Sequence, residues 1–324
     1  MIDAYGRTID YLRISVTDRC NFRCQYCMPE DGIDLCRHDE MLSFDEIIRI
    51  VDIMSKLGFK KIKLTGGEPL VRKGVHYLVE EICKIDGIEN VTMTTNGYLL
   101  EDEIDNLVNT GIKGINISLD TLDKNLFKEI TRVDALEKVL RGIEKTKEYS
   151  ELNIKVNCVP LGLEKQNLKS IALLAKDNNI HVRFIEMMPI GTGKKFNFVS
   201  EEDIINELSK EFGEFKPYNK VLGNGPSHYY EIDGFKGRIG FISALSHKFC
   251  EKCNRIRLSS TGYLKTCLQY DVGVDLRELL RNGSSEEDIS KAIEKAILNK
   301  PMEHSFLSEK IDNEEQNGMS RIGG

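Results

Sequence analysis

Six short β-rich runs recur over the first 186 residues, at 11–17, 60–65, 90–95, 113–119, 153–159 and 181–186, with amphipathic stretches of helical spacing between them. The clearest helix starts at Ser43, where Glu46 three residues on completes a capping box. Phe44, Ile47, Ile48, Val51, Met54 and Leu57 form its apolar stripe, and Gly58 stops it. Further helices are expected at about 74–85, 102–110, 134–149 and 167–178. This β/α alternation predicts a parallel sheet with right-handed crossovers. Six units are too few for a complete eightfold barrel. The expected fold class is therefore α/β, a partial (β/α)6 TIM-like barrel over residues 1–215, with an open doubly wound sheet as the alternative. A C-terminal region at 216–310 and a polar, flexible tail at 311–324 follow.

Within the strands, alternation separates two unlike faces. Arg13 and Ser15 oppose Leu12, Ile14 and Val16; Lys61, Lys63 and Thr65 oppose Ile62 and Leu64; Lys155 and Asn157 oppose Ile154, Val156 and Cys158; Arg183 opposes Val182 and Phe184. Parallel strands normally read as apolar on both faces, so a recurrent cationic face predicts an interior that holds a small polyanion such as a nucleoside triphosphate. The plainer alternative places Lys61 and Lys63 on a solvated edge and pairs the arginines with carboxylates. Ligands in either fold gather at the C-terminal ends of strands. Those ends carry the cysteine run at 20–27, Gly66-Gly67-Glu68-Pro69, Thr94-Thr95-Asn96-Gly97, Ser118-Leu119-Asp120 and Glu186-Met187-Met188.

Composition narrows the partners. The 324-residue chain is 40% hydrophobic with a formal net charge of −7, which opposes binding to nucleic acid or to an anionic membrane. No secretory signal is evident and no apolar run approaches a membrane span of about 20 residues, so a cytoplasmic location is expected. Thiols stay reduced there, and nine cysteines point to metal ligation rather than to a disulfide framework.

Cys20, Cys24 and Cys27 fall within eight positions behind the first strand. A structural zinc site takes four ligands, usually as two separated pairs, whereas a cubane held by three thiolates leaves one iron open. The CxxxCxxC spacing, Tyr26 before the last cysteine and the GGEP segment after the next strand resemble the radical S-adenosylmethionine (SAM) superfamily, whose usual fold is a partial barrel. That resemblance implies a [4Fe-4S] cluster on Cys20, Cys24 and Cys27 whose open iron binds SAM. It further implies that Gly66, Gly67 and Glu68 contact the amino end of SAM, with Tyr26, Ser118 and Met188 lining the rest of its site.

A second set, Cys250, Cys253 and Cys267, lies near the C-terminus. On spacing alone, a zinc ion completed by His247 and a second cluster both fit. With RIR after the second CxxC, and with TDRCNFRCQYCMP, LTGGEPL, TTNG, NISLD and a terminal Gly323-Gly324, the whole chain resembles the GTP 3′,8-cyclase (molybdenum cofactor biosynthesis protein A) family. The resemblance implies two [4Fe-4S] clusters, SAM, and cyclisation of GTP to (8S)-3′,8-cyclo-7,8-dihydroguanosine 5′-triphosphate, the first step of molybdenum cofactor biosynthesis. It assigns GTP contacts to Arg13, Lys61, Lys63, Thr94, Lys155, Arg183, Arg255 and Arg257, and a catalytic role to Gly323 and Gly324. An electron donor such as flavodoxin or ferredoxin is implied, with cyclic pyranopterin monophosphate synthase as the next enzyme and a monomer or homodimer as the assembly. One position departs from the family: Lys63 stands where Arg is expected, exchanging a planar fork for a point charge. A peptide-modifying radical SAM enzyme and a zinc-stabilised binding module are the competing readings.

Overall fold

In the computed structural model, which describes residues 1–162, 164–308, 315 and 317–322, the apolar face of each strand is covered by helices. The strands are β1 (Tyr11–Ser15), β2 (Lys61–Thr65), β3 (Asn90–Thr95), β4 (Gly114–Ser118), β5 (Asn153–Cys158) and β6 (Ile180–Ile185). Between them run α1 (Phe44–Lys56), α2 (Val75–Lys84), α3 (Leu100–Asn109), α4 (Lys124–Thr131), α5 (Leu136–Thr146) and α6 (Leu168–Ala172). The capping box at Ser43 forms: Ser43 Oγ accepts from the Glu46 N–H, and Glu46 accepts from the Ser43 N–H. Leu12, Ile14, Ile62, Leu64, Val91, Met93, Ile115, Ile117, Ile154, Val156 and Val182 join one core with Ile47, Ile50, Val51 and Met54 of α1 and the buried sides of the other helices.

Beyond α7 (Glu201–Phe212), the chain adds β7 (Lys216–Tyr218), β8 (His228–Glu231), β9 (Ile239–Ile242), β10 (Arg255–Leu258), β11 (Tyr263–Lys265), β12 (Gly273–Asp275), α8 (Leu276–Arg281), α9 (Glu286–Leu298) and α10 (Met319–Ile322). All the strands form one sheet in the order β12-β11-β10-β1-β2-β3-β4-β5-β6-β9-β8-β7. β9 pairs with β6 and β10 with β1, both parallel, so the six expected strands become a parallel run of eight flanked by antiparallel hairpins. The two additions escape a reading based on β/α alternation because neither follows a crossover helix: β9 is the return strand of a hairpin with β8, and β10 follows a loop and a 3-10 turn at Cys250–Lys252.

The sheet bends round its polar face. A cavity of about 400 Å³ is lined by residues of all eight parallel strands, among them Arg13, Lys63, Thr94, Asn116, Lys155, Arg183, Ile242 and Arg257.

Candidate active site

Register brings the cationic positions side by side. Arg257 pairs across to Arg13 and Arg13 to Lys63, a row of three cations on neighbouring strands. Arg183, on the far side, sits opposite Asn157, whose Oδ1 accepts from its Nε at 2.9 Å and Nη2 at 2.6 Å. Lys155 donates to Asn153 Oδ1. Burial and repulsion from neighbours disfavour these charges. Burial, then Arg183, brings the Lys155 ammonium down to about 7, and burial, then Arg183, Arg13 and Lys155, holds Lys63 well below its ordinary value. Burial also lowers Arg13 to about 10, with Arg255 and Arg183 adding to the effect and Tyr11 opposing it; Arg257 is lowered by burial, then Arg13 and Arg255. Lys61 is elsewhere: its ammonium pairs with Asp10 at 2.7 Å and is not on the cavity wall.

Cys20, Cys24 and Cys27 line one end of this cavity. Their loop is tied on several sides. The Gly67 N–H donates to the Thr17 carbonyl at 2.7 Å and the Glu68 N–H to that of Arg19 at 2.8 Å. Only glycine fits at position 67, where a Cβ would lie 2.3 Å from the Arg19 oxygen, and at position 66, where it would lie 2.7 Å from the Thr17 oxygen. Glu68 is itself a brace: Oε1 accepts from the Leu70 N–H at 3.0 Å and Thr95 Oγ1 at 2.7 Å, and Oε2 from the Asn96 N–H at 2.6 Å. Burial still pushes its carboxyl up to about 7 against those bonds. Arg132, in the left-handed region at φ 61°, donates to the Arg23 carbonyl at 2.7 Å.

Burial pushes Cys20 up to about 11 and Cys27, helped by Cys20, up to about 12; Cys24 is raised well above its ordinary value by burial, then Cys27 and Asp120. The thiols are therefore neutral near pH 7 unless a metal cation supplies the charge that ionises them. Tyr26 OH donates to Asp120 Oδ2 at 2.7 Å while Oδ1 accepts from the Val159 N–H at 2.8 Å, and burial lifts Asp120 to about 6. Ser118 and Met188 line the same end.

Cys250, Cys253 and Cys267 line that same cavity, with Arg255 and Arg257 beside them. Burial raises Cys253, but Arg255 and Lys300 outweigh it and bring the thiol down to about 7; Cys250 is raised by burial, then Cys253 and Cys267. His247 turns away, its Nδ1 3.6 Å from Glu201 and its side chain 65% exposed. Among the described residues no three His, Cys, Asp or Glu side chains are placed to hold one metal ion; in an iron–sulfur cluster the thiolates bind separate irons. Two sets of three thiols facing one cavity, each one ligand short of the four a cubane takes, suit a pair of clusters with an open iron each.

Gly323 and Gly324 lie outside the described residues. The chain just before them reaches the site: Met319 lines the cavity and the Ser320 N–H bonds to the Cys27 sulfur. The sequence marks Asp120 only by its place at the end of β4 and assigns no role to Asn157 or Lys300. Asn157 carried a signal, since it shares the polar face of β5 with Lys155; Lys300 carried none, being a lone lysine after a helix.

Comparison with known proteins gives the family and the fold. The Radical SAM superfamily model matches residues 14–177 and the Molybdenum Cofactor Synthesis C model residues 180–306. Two solved structures share the fold: Streptococcus suis SuiB bound to S-adenosylmethionine, at TM-score 0.63 and 14% identity over 90% of this chain and 68% of that one, and native anSMEcpe with bound AdoMet, at TM-score 0.57 and 17% identity over 93% and 84%. Fold and cysteine placement together define a radical SAM protein with a C-terminal molybdenum cofactor synthesis region. The GTP 3′,8-cyclase of Clostridium perfringens strain 13 is 47% identical over 325 residues, and that of Desulforamulus reducens 43% over 328, each covering 100% of both chains. The chain belongs to the GTP 3′,8-cyclase family.

Proposed function

We propose that the protein converts GTP to (8S)-3′,8-cyclo-7,8-dihydroguanosine 5′-triphosphate, the first step of molybdenum cofactor biosynthesis, using two [4Fe-4S] clusters and SAM. One observation carries this reading: both cysteine triads and six cationic side chains, Arg13, Lys63, Lys155, Arg183, Arg255 and Arg257, line a single cavity. When bound, the cluster on Cys20, Cys24 and Cys27 together with SAM supplies a 5′-deoxyadenosyl radical; Cys250, Cys253 and Cys267 would hold the second cluster.

The chain's own groups bind, orient and exclude water. The glycine pair brings backbone close to the cysteine loop, and Glu68, fixed by three donors, retains acceptor capacity on Oε2 for the SAM ammonium. Asp120 fixes the ring of Tyr26 against the same site. The row Arg257, Arg13 and Lys63, with Lys155 and Arg183 facing it, neutralises the triphosphate, while Arg255 and Arg257 place the nucleotide beside the C-terminal thiols. Residues 1–215 thus carry the SAM end and most phosphate contacts, and residues 216–310 the base end. A role for Gly323 and Gly324 in the crowded cavity, where residues without side chains fit best, is supported by the preceding segment, in which Met319 lines the cavity and Ser320 bonds to Cys27.

The test is an anaerobic reaction of the reconstituted protein with SAM, a strong reductant and GTP. Stoichiometric 5′-deoxyadenosine with a C3′–C8-linked GTP product is expected. Deoxyadenosine without a GTP-derived product would redirect the assignment to peptide substrates, and neither species from protein with both clusters intact would refute it.

A further inference from the structure

Residues 300–304 touch the backbone or side chain of every segment that bears a C-terminal cysteine. Lys300, two positions beyond α9 and only 3% exposed, donates from Nζ to the Arg255 carbonyl at 3.2 Å and to the Thr266 carbonyl. The first acceptor lies two residues after Cys253 and the second is adjacent to Cys267. The Pro301 and Met302 carbonyls accept from Arg7 Nη2 at 2.7 Å and Nη1 at 2.6 Å, and the same Nη1 reaches the Cys250 carbonyl at 3.0 Å. Arg7 is held in turn by Asp3, Nε to Oδ2 at 2.6 Å, in a pair whose side chains are 5% and 0% exposed. The His304 N–H completes the set by bonding to the Cys250 sulfur.

Both acceptors of Lys300 are neutral carbonyl oxygens, so its charge is not cancelled by the groups that fix its position. A buried cation held this way acts strongly on nearby anions, and groups behind metal ligands set both ligand geometry and metal electronics.

We propose that Lys300 is a positioning residue for the C-terminal cluster: it holds the Cys253 and Cys267 segments in register, and its fixed charge raises the reduction potential of the cluster their thiolates bind. Arg7 performs the same bracing for Cys250 from the N-terminus. The inference rests on the reading that Cys250, Cys253 and Cys267 hold a cluster.

The experiment uses the full chain with Cys20, Cys24 and Cys27 changed to alanine, so that only the C-terminal site loads iron. Lys300→Met and Lys300→Arg are compared with this parent in iron content, rate of iron loss to a chelator, and midpoint potential followed by electron paramagnetic resonance. Lys300→Met is expected to lose iron about 10- to 100-fold faster and to titrate at lower potential. Lys300→Arg, which keeps the charge but not the two-carbonyl geometry, is expected to restore the potential while losing iron at an intermediate rate. Parent-like loss rate and potential in Lys300→Met overturn the proposal. Should Lys300→Met not fold, a parent-like loss rate in Lys300→Arg refutes the positioning role and a lowered potential refutes the charge role. A parent chain that binds no iron refutes the cluster reading itself, and this inference with it.

Discussion

GTP binding should draw protons into the protein. In the free cavity Lys155 lies near 7, held down by burial and then Arg183, and burial, then Arg183, Arg13 and Lys155, holds Lys63 well below its ordinary value. A triphosphate reverses the sign of the local field and raises both values. The direction follows from linkage: the bound state holds more protons, so affinity is greatest at low pH and falls as pH rises through the free-state pKa of Lys155. With that value, Lys155 takes up about half a proton per GTP at pH 7 and about 0.9 at pH 8, and each proton is worth a factor of about ten in affinity per pH unit. The dissociation constant should therefore rise about 5-fold between pH 7 and 8 from Lys155 alone, with any proton that Lys63 takes up steepening the rise. Isothermal titration of GTP in buffers of different ionisation enthalpy at pH 8, where the terminal phosphate is already ionised, counts the protons directly. At least about 0.9 is expected, with Lys155→Met removing nearly all of that share. Heats that do not depend on the buffer would mean that both lysines are charged in the empty cavity, and the argument from burial would fail.

Three further outcomes are expected. Lys63→Arg, which keeps its charge when buried and offers two donors to a phosphate, should change the KM for GTP and leave kcat intact; an unchanged KM would refute the importance of this departure from the family. Gly67→Ala forces a Cβ to within 2.3 Å of the Arg19 oxygen, so the cysteine loop must shift at a cost of about 1–3 kcal/mol; SAM affinity and Tm should both fall, and wild-type values of both would show that the loop yields freely. Removal of Gly323 and Gly324 should abolish cyclised product while leaving iron content unchanged, and full turnover by the truncated chain would count against their role.

The strands, the capped helix α1 and the cationic face were legible because each depends on local periodicity, and the core positions Leu12, Ile14, Ile62 and Leu64 fell where alternation put them. Helix 167–178 was overextended: the chain is α-helical over Leu168–Ala172 and then tightens into a 3-10 turn at Leu173–Ala175. α4 and α7 went unmarked although Asp123 and Ser200 cap them. Lys61 shows where periodicity stops. It shares a face with Lys63, yet it stands at the entry end of β2, where Asp10 is within reach and takes its charge. Lys300 shows the converse, a contact made across 34 and 45 residues to two carbonyls that no local pattern encodes.

The cavity's composition explains why the fold accepts this charge. An acidic chain of net charge −7 places Arg13, Lys63, Lys155, Arg183 and Arg257 on a buried face, where bringing like charges together out of water is costly. Part of the repulsion is relieved by the lowered pKa values of Lys63 and Lys155, which favour their neutral forms, and part by neutral amides such as Asn157, which accepts from Arg183 without cancelling its charge. A carboxylate in place of that amide would stabilise the empty protein more, but it would compete with the phosphates for the guanidinium. The amide leaves the positive field available, so the relief comes when the polyanion enters, and the energy disfavouring the empty cavity becomes part of the binding energy for substrate.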